Sequence, residues 1–360
     1  MANMLTKLKN MNKQTKSNAI TYGIVVMAYI AVQLLISTNN LSSLMKGLLV
    51  PLCTYAILAV SLNLVVGFLG ELSLGHAGFM CVGAFTSAYF SKCMKEVITI
   101  APLRFLLALL IGAAAAAVFG ILIGIPVLRL KGDYLAIVTL AFGEIIKNLV
   151  NILFIGKDSS GFHFSTESSM ALGMEPGGTV IINGPQGITG TPNDANFTIA
   201  AVLLLLTLFI VIRLVQSRDG RAIMAIRDNR IAAESVGINI TKYKLMAFTI
   251  SAALAGVAGV LYAHNLSTLT ANTNNFGYNQ SIMILVFVVL GGIGNLRGSM
   301  IAAVVLTLLP ELLRGLADYR MLIYAVVLII MMIFNWSPKA IQWRERTFAK
   351  LKKKTKKEAQ

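Results

Sequence analysis

The sequence lacks the motifs on which many soluble enzymes rely. No segment matches the phosphate-cradling pattern GxxxxGK[ST], so we do not expect the chain to hydrolyse ATP by itself. Its three histidines, His76, His163 and His264, stand far apart and form no HExxH zinc motif, and no GxSxG nucleophile elbow occurs. These absences predict that the chain is not an enzyme and that it has no cofactor or metal site of its own.

Cysteine and charge are also scarce. The three cysteines, Cys53, Cys81 and Cys93, are an odd and unpatterned set, so no disulfide framework is predicted. Charged residues make up 13% of the chain, with 31 basic residues against 15 acidic ones. The basic residues lack the aromatic or base-reading context of nucleic-acid binding, so no nucleic-acid partner is expected.

Apolar sequence dominates instead. Hydrophobic residues make up 56% of the 360 positions, and the mean hydropathy is +0.76. The apolar runs are about 20 residues long, as a bilayer-crossing helix requires, and they lack the alternation of barrel strands. We therefore predict an all-α polytopic membrane protein with about ten transmembrane helices. The predicted segments are 18–37, 46–67, 71–90, 101–128, 133–155, 197–216, 243–264, 280–296, 298–315 and 320–336.

Basic residues cluster in three patches that predict the topology. Nineteen of the 31 lie in the N-terminal tail, between Arg218 and Lys244, and from Lys339 onward. Because positive charge favours the cytoplasmic side, both termini are placed in the cytoplasm. The predicted divisions are basic tails at 1–17 and 337–360, a transmembrane domain at 18–336, an external loop at 158–196 and a cytoplasmic loop at 217–242. The basic residues that fit this topology poorly are Lys92, Lys95, Arg104, Arg314 and Arg320.

The loop 158–196 is long, polar and free of Lys and Arg. Loops of this length are usually functional or disordered. Its acidic character is consistent with a docking surface and equally with a loop that is simply exposed to solvent.

The segment Ser217–Gly237 is basic and amphipathic. It carries four arginines, and its apolar residues recur at helical spacing. Such a helix cannot span a bilayer, but it can lie on the membrane surface or dock as a rigid rod into a groove on a soluble partner. By itself the pattern does not decide between these two interpretations.

Small residues mark close packing and helix breaks. Pairs four apart, at Gly120 and Gly124, Ala255 and Gly259, and Gly294 and Gly298, predict flat helix faces that pack within the subunit. A glycine-rich turn occurs twice, and glycine there permits a broken helix that exposes backbone to a pathway. The predicted helix-break glycines are Gly67, Gly70, Gly75, Gly291, Gly292 and Gly294.

A polar stripe runs along the fifth predicted helix. Glu144, Lys147, Asn148 and Asn151 are spaced so that they share one face. Isolated charges in a membrane are costly, so the stripe either lines a substrate path or contains a self-neutralising Glu144–Lys147 pair.

An ordered series of motifs resembles one transporter family. The series consists of Leu62–Gly67, Leu72–Phe79, Asp133–Glu144, Asn183–Ile188, Gly220–Ala222, Ile231–Asn239, Ala247–Gly256 and Val289–Gly294. In this order the motifs resemble the LivM-type permease subunits of bacterial branched-chain amino acid ABC importers.

The resemblance implies a permease of the bacterial inner membrane that imports leucine, isoleucine and valine. A type II-like importer arrangement is compatible with it. The implied partners are a second related permease, two cytoplasmic ATPase subunits that hold ATP–Mg, and an external substrate-binding protein. It also implies that Ser217–Gly237 is the ATPase-coupling segment, with candidate residues Arg221, Ile223, Ile226, Arg227, Arg230, Ala233, Glu234 and Gly237.

The substrate path is predicted from polarity and position. A zwitterion with an aliphatic side chain needs polar groups for its ends, and the candidates are Asn63, Ser73, Thr139 and Glu144. Alternatives are a related importer of urea or short amides and a stand-alone secondary transporter. A secondary transporter would explain the broken helices, although it leaves the arginine-rich segment without a role. A structural membrane protein has little support.

Overall fold

The computed structural model describes residues 13–38, 41–127, 132–313 and 319–336. The helices are α1 (Lys13–Ser37), α2 (Ser43–Asn63), α3 (His76–Cys93), α4 (Ala101–Val127), α5 (Asp133–Ile152), α6 (Phe197–Gln216), α7 (Arg218–Asp228), α8 (Arg230–Ser235), α9 (Ile240–Ala263), α10 (Thr273–Phe276), α11 (Tyr278–Gly291), α12 (Leu296–Leu312) and α13 (Arg320–Trp336). The strands are β1 (Phe154–Lys157), β2 (Phe162–Ser165), β3 (Thr179–Asn183), β4 (Ile188–Thr189) and β5 (Thr268–Leu269).

The predicted all-α membrane class is confirmed, because a helix occupies most of each of the ten predicted segments. The predicted start of 71–90 and the predicted end of 133–155 are wrong, since the first becomes helical only at His76 and the second ends at Ile152. Within the described ranges, six helices are long and apolar enough to cross a membrane, namely α1, α2, α4, α5, α6 and α9. The other four, α3, α11, α12 and α13, have 14 to 18 residues. The predicted basic tails, apart from the first residues of α1, lie outside the described residues, as does Arg314.

The extent predicted for the eighth crossing, 280–296, is wrong. Helix α11 ends at Gly291, and the next residues turn because Gly292 and Gly294 have φ angles of +97° and +79°. These angles favour glycine, which has no Cβ to clash. A helix of 14 residues reaches about 21 Å, which is less than the ~30 Å hydrocarbon core of a bilayer. Helix α11 therefore reaches only part of the way across.

The helix bundle has two dissimilar ends. At the sheet end, β1 pairs antiparallel with β2 on one side and β3 on the other, and β4 pairs with β5. At the opposite end, called the break end, α2 and α11 stop and the short helices α7 and α8 lie. The N-terminal ends of α4, α6 and α11 face the sheet end, where Arg104 and Asp194 pair and β5 precedes α10.

The loop 158–196 is folded. The turn between β1 and β2 is organised by Asp158, which accepts hydrogen bonds from the backbone N–H groups of Ser160, Gly161 and Glu175. The Ser160 hydroxyl also donates to this carboxylate, which holds the pKa of Asp158 below its usual value. The segment is therefore not merely a solvent-exposed loop, because it contains strands and an ordered turn.

Two of the basic residues that fit the predicted topology poorly have partners at the sheet end. Lys92, in the last turn of α3, donates to the backbone carbonyl of Val180 at 2.9 Å. Arg104, in the first turn of α4, is buried and forms a salt bridge with Asp194 at 2.7 Å. Structural pairing therefore explains why these cations occur outside the basic patches.

The centre of the bundle is built around α2 and α9. In an 18-residue apolar stretch of α2 and its extension to Leu69, 89% is buried inside the protein. In the corresponding stretch of α1, only 11% is buried. Helix α9 approaches α3 and α4 through small residues: a Cβ added at Gly259 would lie 2.1 Å from the Met80 carbonyl, and one at Gly120 would lie 2.7 Å from Ala252. The prediction that the small-residue faces pack within the subunit is confirmed at these two glycines.

We expect Gly83→Ala to destabilise the protein. A Cβ at Gly83 would lie 2.4 Å from the backbone carbonyl oxygen of Gly256, so α3 and α9 would have to move apart. Overpacking of this kind costs about 1–3 kcal/mol, and a lower thermal unfolding midpoint in detergent would report it. Gly47→Ala is the matched control, because nothing lies within 4 Å of the added methyl group. Equal midpoints for the two variants would contradict the proposed close contact.

Candidate functional site

The end of α2 is an irregular helix. Residues Leu64–Leu69 continue it as a π-helical turn, which ends at Gly70 with a φ angle of +78°. The chain is then not helical until α3 begins at His76. Turns of this type are frequent at functional sites, because they loosen the regular ladder of helix hydrogen bonds.

A second break lies between α11 and α12. Residues Gly292–Asn295 form the turn, and Asn295 caps α12 by accepting a hydrogen bond from the N–H of Gly298. The end of α11 and the start of α12 approach closely, since a Cβ added at Gly298 would lie 1.7 Å from the Gly291 carbonyl oxygen. Five of the six predicted helix-break glycines border or lie within non-helical turns, and Gly67 lies inside the π-helical turn.

The two breaks are in contact with each other. A Cβ added at Gly67 would lie 2.4 Å from the backbone nitrogen of Gly294. The fully buried amide of Asn63 joins them, accepting a hydrogen bond from the N–H of Gly294 at 2.9 Å and donating to the Ser299 hydroxyl at 2.7 Å. One side chain therefore satisfies a polar group within the second break and another in α12, which follows it.

The expectation of a single rigid rod at Ser217–Gly237 is wrong. Asn229 adopts an extended backbone conformation and separates α7 from α8. The physical reason is capping: the Ser217 side chain accepts from the N–H of Gly220, and the Asn229 side chain accepts from the N–H of Ala232, so each helix has its own start.

The eight candidate coupling residues divide between two surfaces. Ile223, Ile226 and Ala233 are buried, and the last two pack with Ile240 in a small cluster that holds α7 and α8 against α9. On the exposed side lie Arg221, Arg230, Glu234 and Gly237, together with Arg227, whose side chain is only partly exposed. Sequence reasoning missed the most exposed apolar side chains of this region, Ile231 and Val236, which are 80% and 75% exposed.

Arg227 connects α7 to the first helix break. Its guanidinium group donates a hydrogen bond to the backbone carbonyl of Gly67 at 2.9 Å and also pairs with Asp228. Its aliphatic stem covers Gly70, where an added Cβ would lie 2.5 Å from the arginine Cγ. Arg227 was predicted as an ATPase-coupling residue, and its side chain is directed toward the π-helical turn.

A buried ion pair reinforces this contact. Lys244 in α9 bonds to the carboxylate of Glu71, just after the first break, and both side chains are largely buried. A cavity of about 250 Å³ lies beside the pair. Its lining residues come from the first break, the residue before α5, α7, the start of α8 and α9: Leu69, Gly70, Glu71, Gly132, Ile226, Arg227, Arg230 and Lys244.

The four candidate path residues do not form one cluster. Thr139 lies beside the first break, because its hydroxyl accepts a hydrogen bond from the N–H of Leu74 at 3.0 Å. Ser73 is buried one residue earlier in the chain, and its hydroxyl has no hydrogen-bond partner among the described residues. Glu144 lies farther along α5 and accepts a hydrogen bond from the N–H of Tyr278, at the start of α11.

The polar stripe on α5 contains an ion pair. The Nζ of Lys147 lies 2.5 Å from a carboxylate oxygen of Glu144 and also donates to the hydroxyl of Thr273. The amide of Asn151 donates to the carbonyl of Ala271. The self-neutralising pair is confirmed, and the stripe attaches α5 to the segment that precedes α11.

Buried serines add polar contacts that sequence reasoning missed. The Ser61 hydroxyl lies 2.7 Å from Nε2 of His76, and the Ser251 hydroxyl donates to the carbonyl of Ser61 at 2.6 Å. The Ser281 hydroxyl accepts a hydrogen bond from the N–H of Ala77. Isolated serines in apolar helices carry no sequence signal that would identify these partners. Within the described ranges, no group of three or more His, Cys, Asp or Glu residues could hold a metal ion.

Comparison with known proteins identifies relatives over most of the chain. Residues 44–334 match the family model for the permease component of branched-chain amino acid transport systems. The high-affinity branched-chain amino acid permease protein LivM of Salmonella typhimurium is 37% identical over 83% of this chain and 70% of its own length, and LivM of Escherichia coli matches equally. The permease protein LivH of the Salmonella system is 26% identical over 70% of this chain and 79% of its own length. No solved structure matches significantly.

We expect Asn63→Leu to weaken the contact between the two breaks. The substitution keeps the size of the side chain but leaves the N–H of Gly294 without its acceptor. A buried polar group that loses its partner costs about 1–3 kcal/mol, so the thermal unfolding midpoint in detergent should fall. Asn148→Leu, at an exposed position of α5, is the matched control and should leave the midpoint unchanged. A midpoint for Asn63→Leu that equals the control would show that this amide does not hold the breaks together.

Proposed function

This chain belongs to the permease components of branched-chain amino acid transport systems, and from this premise we propose that it carries leucine, isoleucine and valine into a bacterial cell. It is a multi-pass membrane transport subunit and not an enzyme. The observation that carries the proposed substrate is the 37% identity to LivM over most of the chain. ATP–Mg would be held by separate ATPase subunits, since the sequence has no phosphate-binding loop.

The proposed assembly has two related permeases, two ATPases and an external substrate-binding protein. A LivH-like chain is the second permease in this proposal, because the Salmonella LivH protein is named as a permease of the same kind of system and is similar to this chain. The break end faces the cytoplasm and the sheet end faces outward. The charge distribution supports this orientation: the arginine-rich helices lie at the break end, and residues 158–196 contain no Lys or Arg.

The ATPases would bind the exposed side of α7 and α8. Ile231 and Val236 project from this region and give a soluble partner an apolar contact. Arg221, Arg230 and Glu234 surround them with charge of both signs. A small apolar contact with a charged rim is the usual composition of a specific protein interface.

The buried side of α7 would transmit the displacement. Arg227 binds the π-helical turn through the Gly67 carbonyl, and the adjacent Asn63 joins that turn to the second break. A movement of α7 would therefore reach both helix breaks through hydrogen bonds and packed side chains. The two breaks together would act as the cytoplasmic gate, and Ser73, whose buried hydroxyl has no partner among the described residues, is the candidate to contact substrate there.

Transport by the reconstituted complex tests the proposed substrate. Proteoliposomes that contain both permeases and the ATPases should take up radiolabelled leucine only when ATP is inside and the binding protein is outside. Excess isoleucine or valine should compete with leucine, and urea should not. Leucine uptake by this chain alone, driven by a proton gradient, would instead support a secondary transporter. ATP-dependent uptake of urea or a short amide without leucine uptake would overturn the substrate assignment.

We expect Arg227→Met to uncouple ATP hydrolysis from transport. Methionine retains much of the packing over Gly70 but removes the hydrogen bond to Gly67. The complex should assemble, while leucine-stimulated ATP hydrolysis and uptake should fall about tenfold, which corresponds to the loss of one charge-assisted hydrogen bond. Arg213→Met is the control, because this exposed arginine in the last turn of α6 lies outside α7 and α8 and its guanidinium lies over the ring of Phe209. Normal stimulation in an assembled Arg227→Met complex would exclude the proposed link.

A further inference from the structure

An apolar groove runs along the first helix. It lies between α1, α2, α6 and α12 and encloses a cavity of about 270 Å³. Its walls are almost entirely aliphatic, with Val25, Leu49, Cys53, Leu204 and Met300 among the lining residues. Tyr29 also lines the groove, where it stacks on Phe197 and shares a hydrogen bond with the hydroxyl of Thr198.

A polar cavity of about 310 Å³ lies at the break end between three of these four helices, α1, α6 and α12. Asn18, Gln216, Asn295 and Arg297 supply its polar lining together with Thr21. Arg297 bonds to the Thr21 hydroxyl, so it joins α12 to α1 at this level.

The two cavities follow each other along the helices. Thr21 lines the polar cavity and Ile24 the apolar groove, while on α12 Arg297 lines the first and Met300 the second. A separation of three residues is one helical turn, or about 5 Å along the axis. A ligand that fills both must therefore have an apolar part and a polar part in direct succession.

We propose that this groove binds an anionic phospholipid. The acyl chain would lie against α1, α2, α6 and α12, and the phosphate would lie beside Arg297, whose planar guanidinium group suits phosphate oxygens. The side-chain amides of Asn18 and Gln216 add hydrogen-bond donors. Basic pockets between transmembrane helices at the cytoplasmic side characteristically bind anionic head groups.

The groove fits lipid better than a protein segment because of its place in the molecule. Helix α1 is the least buried of the six long apolar helices in the described ranges, so its sides face the bilayer, where acyl chains are the abundant apolar molecules. A bound lipid would complete the packing of α1 on the bundle. Its head group would also adjoin Gly294 and Asn295, which belong to the second helix break.

Native mass spectrometry of the complete complex tests the proposal. The complex would be extracted from nanodiscs that contain equal amounts of phosphatidylglycerol and phosphatidylcholine, and the wild type should retain phosphatidylglycerol selectively. Arg297→Gln should lower that selectivity about fivefold, the effect expected of one basic residue near an anionic head group. Arg218→Gln is the charge-matched control on the exposed start of α7, and it should retain the wild-type selectivity.

A second pair of variants tests the binding of the acyl chain in the apolar groove independently of Arg297. Ala28→Trp places a large side chain at an exposed position that lines the groove, so retention of either lipid should fall without loss of assembly. Ala114→Trp makes the same change at an exposed position of α4, outside the groove, and should retain lipid as the wild type does.

Three results would overturn the proposal. The first is equal lipid retention in the wild type and Ala28→Trp. The second is retention of both lipids without preference and without an effect of Arg297→Gln. The third is a crosslink from Ala28→Cys to the second permease in a complex that retains no lipid, which would show that a protein helix covers the groove.

Discussion

A backbone polar group released by a broken helix has no water to bind inside a membrane, and the break end of this protein is organised by that constraint. The carbonyl of Gly67 is bound by Arg227, and the N–H of Gly294 is bound by Asn63. Each partner belongs to a different part of the chain, so satisfying the breaks also joins α7 and α2 to them. The same contacts that make the irregular backbone stable therefore also connect α7 to the interior.

Sequence reasoning predicted what depends on local pattern. The long apolar runs gave the helices, and the glycine-rich turns lie where α2 and α11 end. The partners across the chain could not be predicted, because Asn63 and Gly294 are 231 residues apart and nothing local to either specifies the pair. The division of α7 from α8 does have a local signal, because Asn229 is a good helix-capping residue in the middle of the segment.

The charged residues illustrate a related limit. Charge counts place the basic patches on one side, but they do not explain Lys92, Arg104 or Lys147. The structure shows each of these with a specific partner, respectively a strand carbonyl, Asp194 and Glu144. An isolated buried charge is costly, whereas a paired one is tolerated, so a cation with a specific partner can lie outside the basic patches.

The short ladder between β4 and β5 has a consequence for the sheet end of the protein. It attaches the sheet to the segment after α9 through two residue pairs and the bonds from Gly190 and Thr191 to the carbonyl of Ser267. Each such bond contributes about 1 kcal/mol net, so this ladder alone contributes a few kcal/mol. The larger attachment is apolar, because Ile155, Ile181, Ile182 and Ile188 are buried in the same core as the helices. A protein that docks at this end would therefore meet a sheet fixed to the bundle, since lifting the sheet away would expose those side chains to water.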